Sequence, residues 1–151
     1  VCSSDLLTRI VQHGNADTIA VSLRANQVEQ LVLENTRLRE LLALRERGVL
    51  VVGSGNVVHN LRTIRWQEGA EPYPWAKEFN DFFASEMRAN HHDPLIDWER
   101  HGDAAHLSIP TAEHYWPALY ILAQQEEGDA VEIVSDGIDM GSISMLSFTV
   151  G

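Results

Sequence analysis

Cysteine is nearly absent from this sequence, and basic side chains are half as many as acidic ones. Its 151 residues carry 11 Lys and Arg against 22 Asp and Glu, a formal net charge of −11. Phosphates and anionic lipid headgroups would be repelled by that balance, which argues against a nucleic-acid partner and against an anionic-membrane surface. The single cysteine, Cys2, cannot close an internal disulfide, so the fold does not depend on an oxidising compartment. The same scarcity excludes a thiol mechanism and a cysteine-type zinc site. No apolar run approaches the roughly 20 residues needed to span a bilayer, and no secretory signal opens the sequence. The expected location is therefore the cytoplasm. Two common enzyme signatures are also missing. Gly53-Ser54-Gly55 is not followed by the Gly-Lys-Ser/Thr of a phosphate loop, and Ser54 does not sit in a Gly-x-Ser-x-Gly elbow.

What is present has a globular composition, 44% apolar and 22% charged, and a length that fits one domain. The first residue is Val, and Val1-Cys2-Ser3-Ser4-Asp5-Leu6 looks like the translation of a sequencing-adapter oligonucleotide. Residues 1–6 are therefore expected to be non-native and are set apart from the fold, with residues 7–151 as the domain proper.

Patterning along residues 7–151 predicts an α/β fold, with a mostly buried mixed or parallel sheet flanked by helices. Leu7–Gln12 suits the tail of a helix, and Thr18–Leu23 a short buried strand. Asn26 and Glu29 have capping-box spacing. Val28, Leu31, Val32, Leu38, Leu41 and Leu42 share one face of the helix that follows, with Glu34, Arg37, Glu40 and Arg45 mostly facing away. Gly48 provides a left-handed cap. Val49–Val52, apolar and β-branched, reads as a strand buried on both faces of a parallel sheet. Pro74 suits the first turn of a helix whose apolar face is Trp75, Phe79, Phe82, Phe83 and Met87. A short helix is expected around Leu95–Glu99, then a polar loop to Pro110. Thr111 is placed to cap a helix with Glu113 and His114 in its first turn. Strands are expected at Ala130–Val134 and Ile143–Val150.

Chemistry is expected at the end of the Val49–Val52 strand, because ligands collect beyond the carboxyl ends of strands in open α/β sheets. There Gly53, Ser54 and Gly55 permit close approach to the backbone. His59 follows, flanked by Asn60 and Arg62. An imidazole here can bind a divalent metal or move a proton. The plain structural alternative is a glycine turn with a partly buried histidine bonded to a carbonyl. His114 is the second candidate, against the alternative of a capping or surface histidine. Glu113 could orient an imidazole or merely favour a helix N-terminus. His91-His92-Asp93 reads as a solvated turn, His13 as a helix-end residue, and His101 with His106 lacks the spacing of a zinc-protease pair.

Four blocks, in order, carry a resemblance. They are Ser54-Gly55-Asn56-Val57-Val58-His59-Asn60-Leu61-Arg62, Tyr73-Pro74-Trp75-Ala76 with Phe79-Asn80, Pro110-Thr111 with Glu113-His114-Tyr115 and Pro117, and Gly137-Ile138 through Met140-Gly141-Ser142 to Ser144-Met145-Leu146-Ser147. Together they resemble the DOPA-dioxygenase-like branch of the class III extradiol ring-cleavage dioxygenases, over about residues 7–151. The resemblance implies insertion of O2 into a catechol such as DOPA at a mononuclear non-haem Fe(II), with Zn(II) possible in its place. It implies His114 as a metal ligand, and His59 as a ligand or as the acid/base that handles catechol protons. Tyr115 is placed to position substrate or oxygen, and Asn60 and Arg62 to orient His59 or a substrate carboxylate. The expected partners are a small catechol and O2.

The sequence departs from this family in one respect. Full-length relatives carry an early His-Gly block, a Ser-x-His-Trp block and an Asp-His-Gly block, and none occurs here. His13-Gly14 is no substitute, because the polar Asn15-Ala16-Asp17 follows it. The expectation is that residues 7–151 are the C-terminal part of the catalytic domain, inactive and poorly folding alone. Two other readings stand beside it: a zinc-binding relative without oxygenase activity, and a small α/β interaction domain whose histidines are structural.

Overall fold

A computed structural model describes residues 35–151. The expectations for Leu7–Gln12, Thr18–Leu23, the Asn26 cap and the early part of the first helix lie outside the described residues.

Helix α1, Asn35–Glu46, stops where Gly48 adopts a φ of +75°. The Gly48 N–H donates to the Arg45 carbonyl and the Val49 N–H to that of Leu44, the paired bonds of a Schellman cap. Leu41 is buried against Tyr120, with Leu44 and Trp116 alongside. Arg45 does not face away as its periodicity predicts. Its guanidinium forms a bidentate pair with Asp129 and also donates to the Gln124 carbonyl at 3.0 Å, tying α1 to the loop before the last strands. Arg45 holds the Asp129 carboxyl down at about 2.

Val49–Val52 does not form a strand buried on both faces. Among the described residues it belongs to none of the named strands, and Leu50 and Val52 are 57% and 41% exposed. Leu50 alone in the segment takes part in a β-bridge; β-branched residues favour extended backbone, but a ladder needs successive pairings.

Helix α2, Pro74–Arg88, dominates the core. Pro74 occupies its first position, where the missing N–H costs nothing. Phe79, Phe83 and Met87 are fully buried, and Trp75 and Phe82 pack at the margin, as the periodicity predicts. Each full burial is worth about 1.5–3 kcal/mol. The helix ends at Asn90, which takes a left-handed φ of 55°, while the His91 N–H reaches back to the Glu86 carbonyl.

Two short helices follow, α3 at Asp93–Ile96 and α4 at Asp103–Ser108, separated by a 3-10 turn at Trp98–His101. The segment up to Pro110 is therefore not simply a polar loop. The small residues Ala104 and Ala105 let α4 lie close on α2, a match that has no periodic signature in six residues. The helix expected from Thr111 is divided. A 3-10 turn spans Ala112–His114, and α5 runs from Trp116 to Leu122 with Pro117 in its first turn. Pro117 favours a new helical start there.

Two small antiparallel sheets complete the α/β fold, in place of the expected parallel or mixed sheet among the described residues. Strand β1, Val131–Ser135, pairs with β4, Ser147–Val150, placing Val131 against Val150 and Ile133 against Phe148. Strands β2, Ile138–Asp139, and β3, Ile143–Ser144, form a hairpin. Its turn needs positive φ at two successive residues, Met140 at 50° and Gly141 at 76°. Asn80 on α2 accepts from the Ser144 hydroxyl at 2.6 Å and donates to Asp136 at 2.9 Å, fixing the hairpin to the helix. No helix among the described residues is long and apolar enough to cross a membrane.

Candidate active site

The segment that follows Val49–Val52 approaches α5 and the turn before it backbone to backbone. A Cβ on Gly55 would lie 2.1 Å from the His114 carbonyl oxygen, and one on Gly53 would lie 2.7 Å from that of Pro117. Only glycine fits such an approach without moving a chain segment. The Asn56 N–H then donates to the His114 carbonyl at 2.9 Å. Farther on, Val58 accepts from the Ser144 N–H, and the His59 N–H donates to the Ser108 carbonyl, both at 2.9 Å. His59 also forms an isolated antiparallel bridge with Ile143.

These backbone contacts bring the two sequence-predicted histidines together. The rings of His59 and His114 lie 4.9 Å apart between centroids, tilted by 43°. His59 is only 6% exposed, whereas His114 is exposed. His59 Nε2 lies 2.8 Å from the Thr111 carbonyl oxygen, and Nδ1 lies 3.2 Å from that of Asn56. A neutral imidazole has one N–H, so it satisfies one carbonyl at a time, and the tautomer decides which. Burial and the neighbouring His114 push the His59 pKa below its ordinary value, while the two carbonyls pull the other way. Beside the pair, the Thr111 hydroxyl donates to Glu113 at 2.6 Å and holds that carboxyl below its usual range.

The other expected site residues are not gathered around this pair as free side chains. Tyr115, expected to touch substrate or oxygen, is a core residue. It is fully buried, its hydroxyl donates to the Leu95 carbonyl at 2.8 Å, and its ring meets Phe83 edge-on at 5.6 Å. Burial raises its phenol pKa well above the ordinary value. Asn60 is buried as well. Its amide donates to the Leu107 carbonyl at 2.7 Å and its oxygen accepts from the Arg62 N–H, so both ends of the side chain serve the backbone. Arg62 is exposed in the 3-10 turn Leu61–Thr63.

The remaining histidines in the described residues are dispersed. His91 is exposed, as its turn composition predicts, while His92 reaches Gln125 at 3.0 Å. His101 stacks on Phe82 and His106 meets Trp98 edge-on.

Sequence reasoning did not single out Asn56 and Thr111, whose carbonyls hold the His59 ring. A backbone acceptor carries no residue-type signature, although Asn56 lies inside the His59 block. Among the described residues, no group of three or more His, Cys, Asp or Glu converges as an ion would require. The two imidazoles, even with Glu113 nearby, thus do not by themselves fit a mononuclear iron or zinc centre.

No family model matches the chain. Individual relatives do. A protein of Escherichia coli K12 named 4,5-DOPA dioxygenase extradiol is 38% identical over 145 residues, covering 94% of this chain and 53% of the relative. Proteins of the same name from Beta vulgaris and Portulaca grandiflora are 25% and 26% identical over 72% and 73% of this chain, covering 40% and 41% of their own lengths. A crystal structure of an uncharacterized protein from Escherichia coli K12 superposes with a TM-score of 0.68 at 42% identity, over 76% of this chain and 48% of that one. The chain spans about half the length of the relatives it matches. Over that half the chain is similar in sequence to proteins named 4,5-DOPA dioxygenase extradiol, and similar in fold to the Escherichia coli K12 structure.

Proposed function

We propose that the chain is the C-terminal part of an extradiol dioxygenase that opens the ring of a DOPA-type catechol with O2, and that His59 and His114 work in its active site. The observation that carries this reading is the contact between these two imidazoles, distant in sequence and held by backbone contacts, in a homologue of proteins named for that reaction. Donors outside the described residues would have to complete a centre for Fe(II), or for Zn(II) in its place; that ion would bind the catechol and O2.

The two carbonyls around His59 suit its charged form, a state that a proton-handling residue passes through. His59 rests neutral because burial disfavours the charged ring. An imidazolium here would present its two N–H groups to the Asn56 and Thr111 carbonyls, but to take a proton from a catechol hydroxyl the ring must first turn one nitrogen away from its carbonyl. Both nitrogens are engaged in this arrangement, and ligation by His59 would require one carbonyl to give way. His114, exposed and beside it, is the better-placed ligand. Asn60 supports the turn after His59 rather than touching substrate, and Arg62 is free to meet a substrate carboxylate.

The test compares this chain with the longer protein that contains it. Each is loaded anaerobically with Fe(II) and then given DOPA and oxygen. Oxygen uptake and a ring-opened product are expected from the longer protein and not from the chain alone. Absence of both from the iron-loaded longer protein would overturn the reading.

A further inference from the structure

We propose that Asn56 is a positioning residue that sets the relation between the His59 and His114 rings. The proposal rests on the reading of these two imidazoles as the working groups, and it assigns a role to a residue between them.

Two hydrogen bonds and one close contact connect Asn56 to β3, His114 and His59. Its side-chain Nδ2 donates to the Ser144 carbonyl of β3 at 2.7 Å. Its backbone N–H donates to the His114 carbonyl at 2.9 Å. Its own carbonyl faces His59 Nδ1 at 3.2 Å. The side-chain bond fixes the orientation of the residue, and the two backbone groups then face the two histidines. Gly55 makes this possible, since any Cβ there would collide with the His114 carbonyl.

The Asn56 carbonyl also bears on which nitrogen of His59 is used. A proton on Nε2 goes to Thr111 and a proton on Nδ1 goes to Asn56; in the second case the Nε2 lone pair becomes available only when the Thr111 carbonyl moves away. A backbone carbonyl that holds the Nδ1–H of an active-site histidine fixes both ring orientation and tautomer. Asn56 acts on the site through His59 and His114, with no contact to substrate required.

The test uses Asn56→Ala, Asn56→Asp and Asn80→Ala. Asn56→Asp keeps the size of the side chain and removes the Nδ2 donor. Asn80→Ala breaks another buried amide contact to β3 but touches neither imidazole. In this chain, the nuclear Overhauser effect between the His59 and His114 rings is compared with that between Phe83 and Tyr115. Both Asn56 variants are expected to lose the histidine contact and keep the aromatic one, and Asn80→Ala to keep both. In the longer protein, Zn(II) affinity is expected to fall tenfold or more in the Asn56 variants and to stay within twofold in Asn80→Ala.

An Asn56→Asp protein that keeps the histidine contact and wild-type Zn(II) affinity overturns the proposal. So does loss of the aromatic contact or of folding in both Asn56 variants, because the residue would then serve general stability. Equal loss of the histidine contact in Asn80→Ala overturns it for the same reason. A wild-type longer protein that neither binds Zn(II) nor consumes oxygen counts against the dioxygenase reading alone, since the ring contact in this chain is read independently.

Discussion

His114 and Tyr115 are neighbours in sequence and belong to different worlds. His114 is exposed beside His59, held by a bond from the Asn56 N–H to its carbonyl. Tyr115 is fully buried among Phe79, Phe83 and Trp98. The core around α2 is held by side chains that leave water. The histidine pair is held by backbone groups that meet at hydrogen-bond distance across glycines. One region depends on volume, the other on the absence of volume, and substitutions should separate them.

The largest effect is expected from Phe83→Ala. Truncating a fully buried aromatic costs about 3–5 kcal/mol, read by urea unfolding, and in the molecules that remain folded the His59–His114 contact should survive. A cost below about 1 kcal/mol, under the range for large-to-small core changes, would break the division. Gly55→Ala should cost less, about 1–3 kcal/mol as an overpacking strain. Unlike Phe83→Ala, it should separate the two imidazoles, because the added methyl lies on the His114 carbonyl. An unchanged ring contact by NMR would contradict that.

Tyr115→Phe keeps the packing and strands the Leu95 carbonyl, at a cost of about 1–2 kcal/mol. Under the dioxygenase reading proposed above, catechol turnover should be nearly unchanged by it, which distinguishes a core residue from one that touches substrate. The pH dependence sharpens the other side of the comparison. The folded pKa of His59 lies below its unfolded value, so its neutral form contributes stability above the ordinary imidazole range. That contribution is lost as pH falls through this range towards the folded pKa, because the unfolded chain binds the proton first. Its slope cannot exceed about 1.4 kcal/mol per pH unit for one proton. Urea midpoints between pH 8 and 5 should fall less steeply in His59→Gln than in wild type. The smallest effect is expected from Arg62→Ala, within about 0.5 kcal/mol for an exposed side chain. A larger change would mean that Arg62 is part of the packed structure.

Much of the core was legible in advance. The spacing of Phe79, Phe83 and Met87 defines one helical face, and Pro74 and Gly48 mark a start and a stop, because each rests on local geometry. His59 and His114 stand out only through the ordered blocks, and their contact has no local signature. The α4 helix was not legible, since alanines pack by being small and leave no periodic trace. A motif position next to His114 makes Tyr115 look like a substrate contact, and only the tertiary structure shows that its side chain is buried and bonded to the Leu95 carbonyl. The split at Ala112–His114 escaped notice because Thr111 looks like a cap, yet its hydroxyl goes to the Glu113 side chain.

The sequence by itself determined the α/β mixture, the apolar face of α2 and the acidic balance. Each follows from residue chemistry or from contacts within a few positions. Tertiary structure alone decided that His59 and His114 meet, that Asn56 and Thr111 supply the acceptors around His59, and that Tyr115 and Asn60 serve the framework. Those outcomes depend on the close approach of backbone segments far apart in the chain, and a carbonyl oxygen looks the same at every position in a sequence.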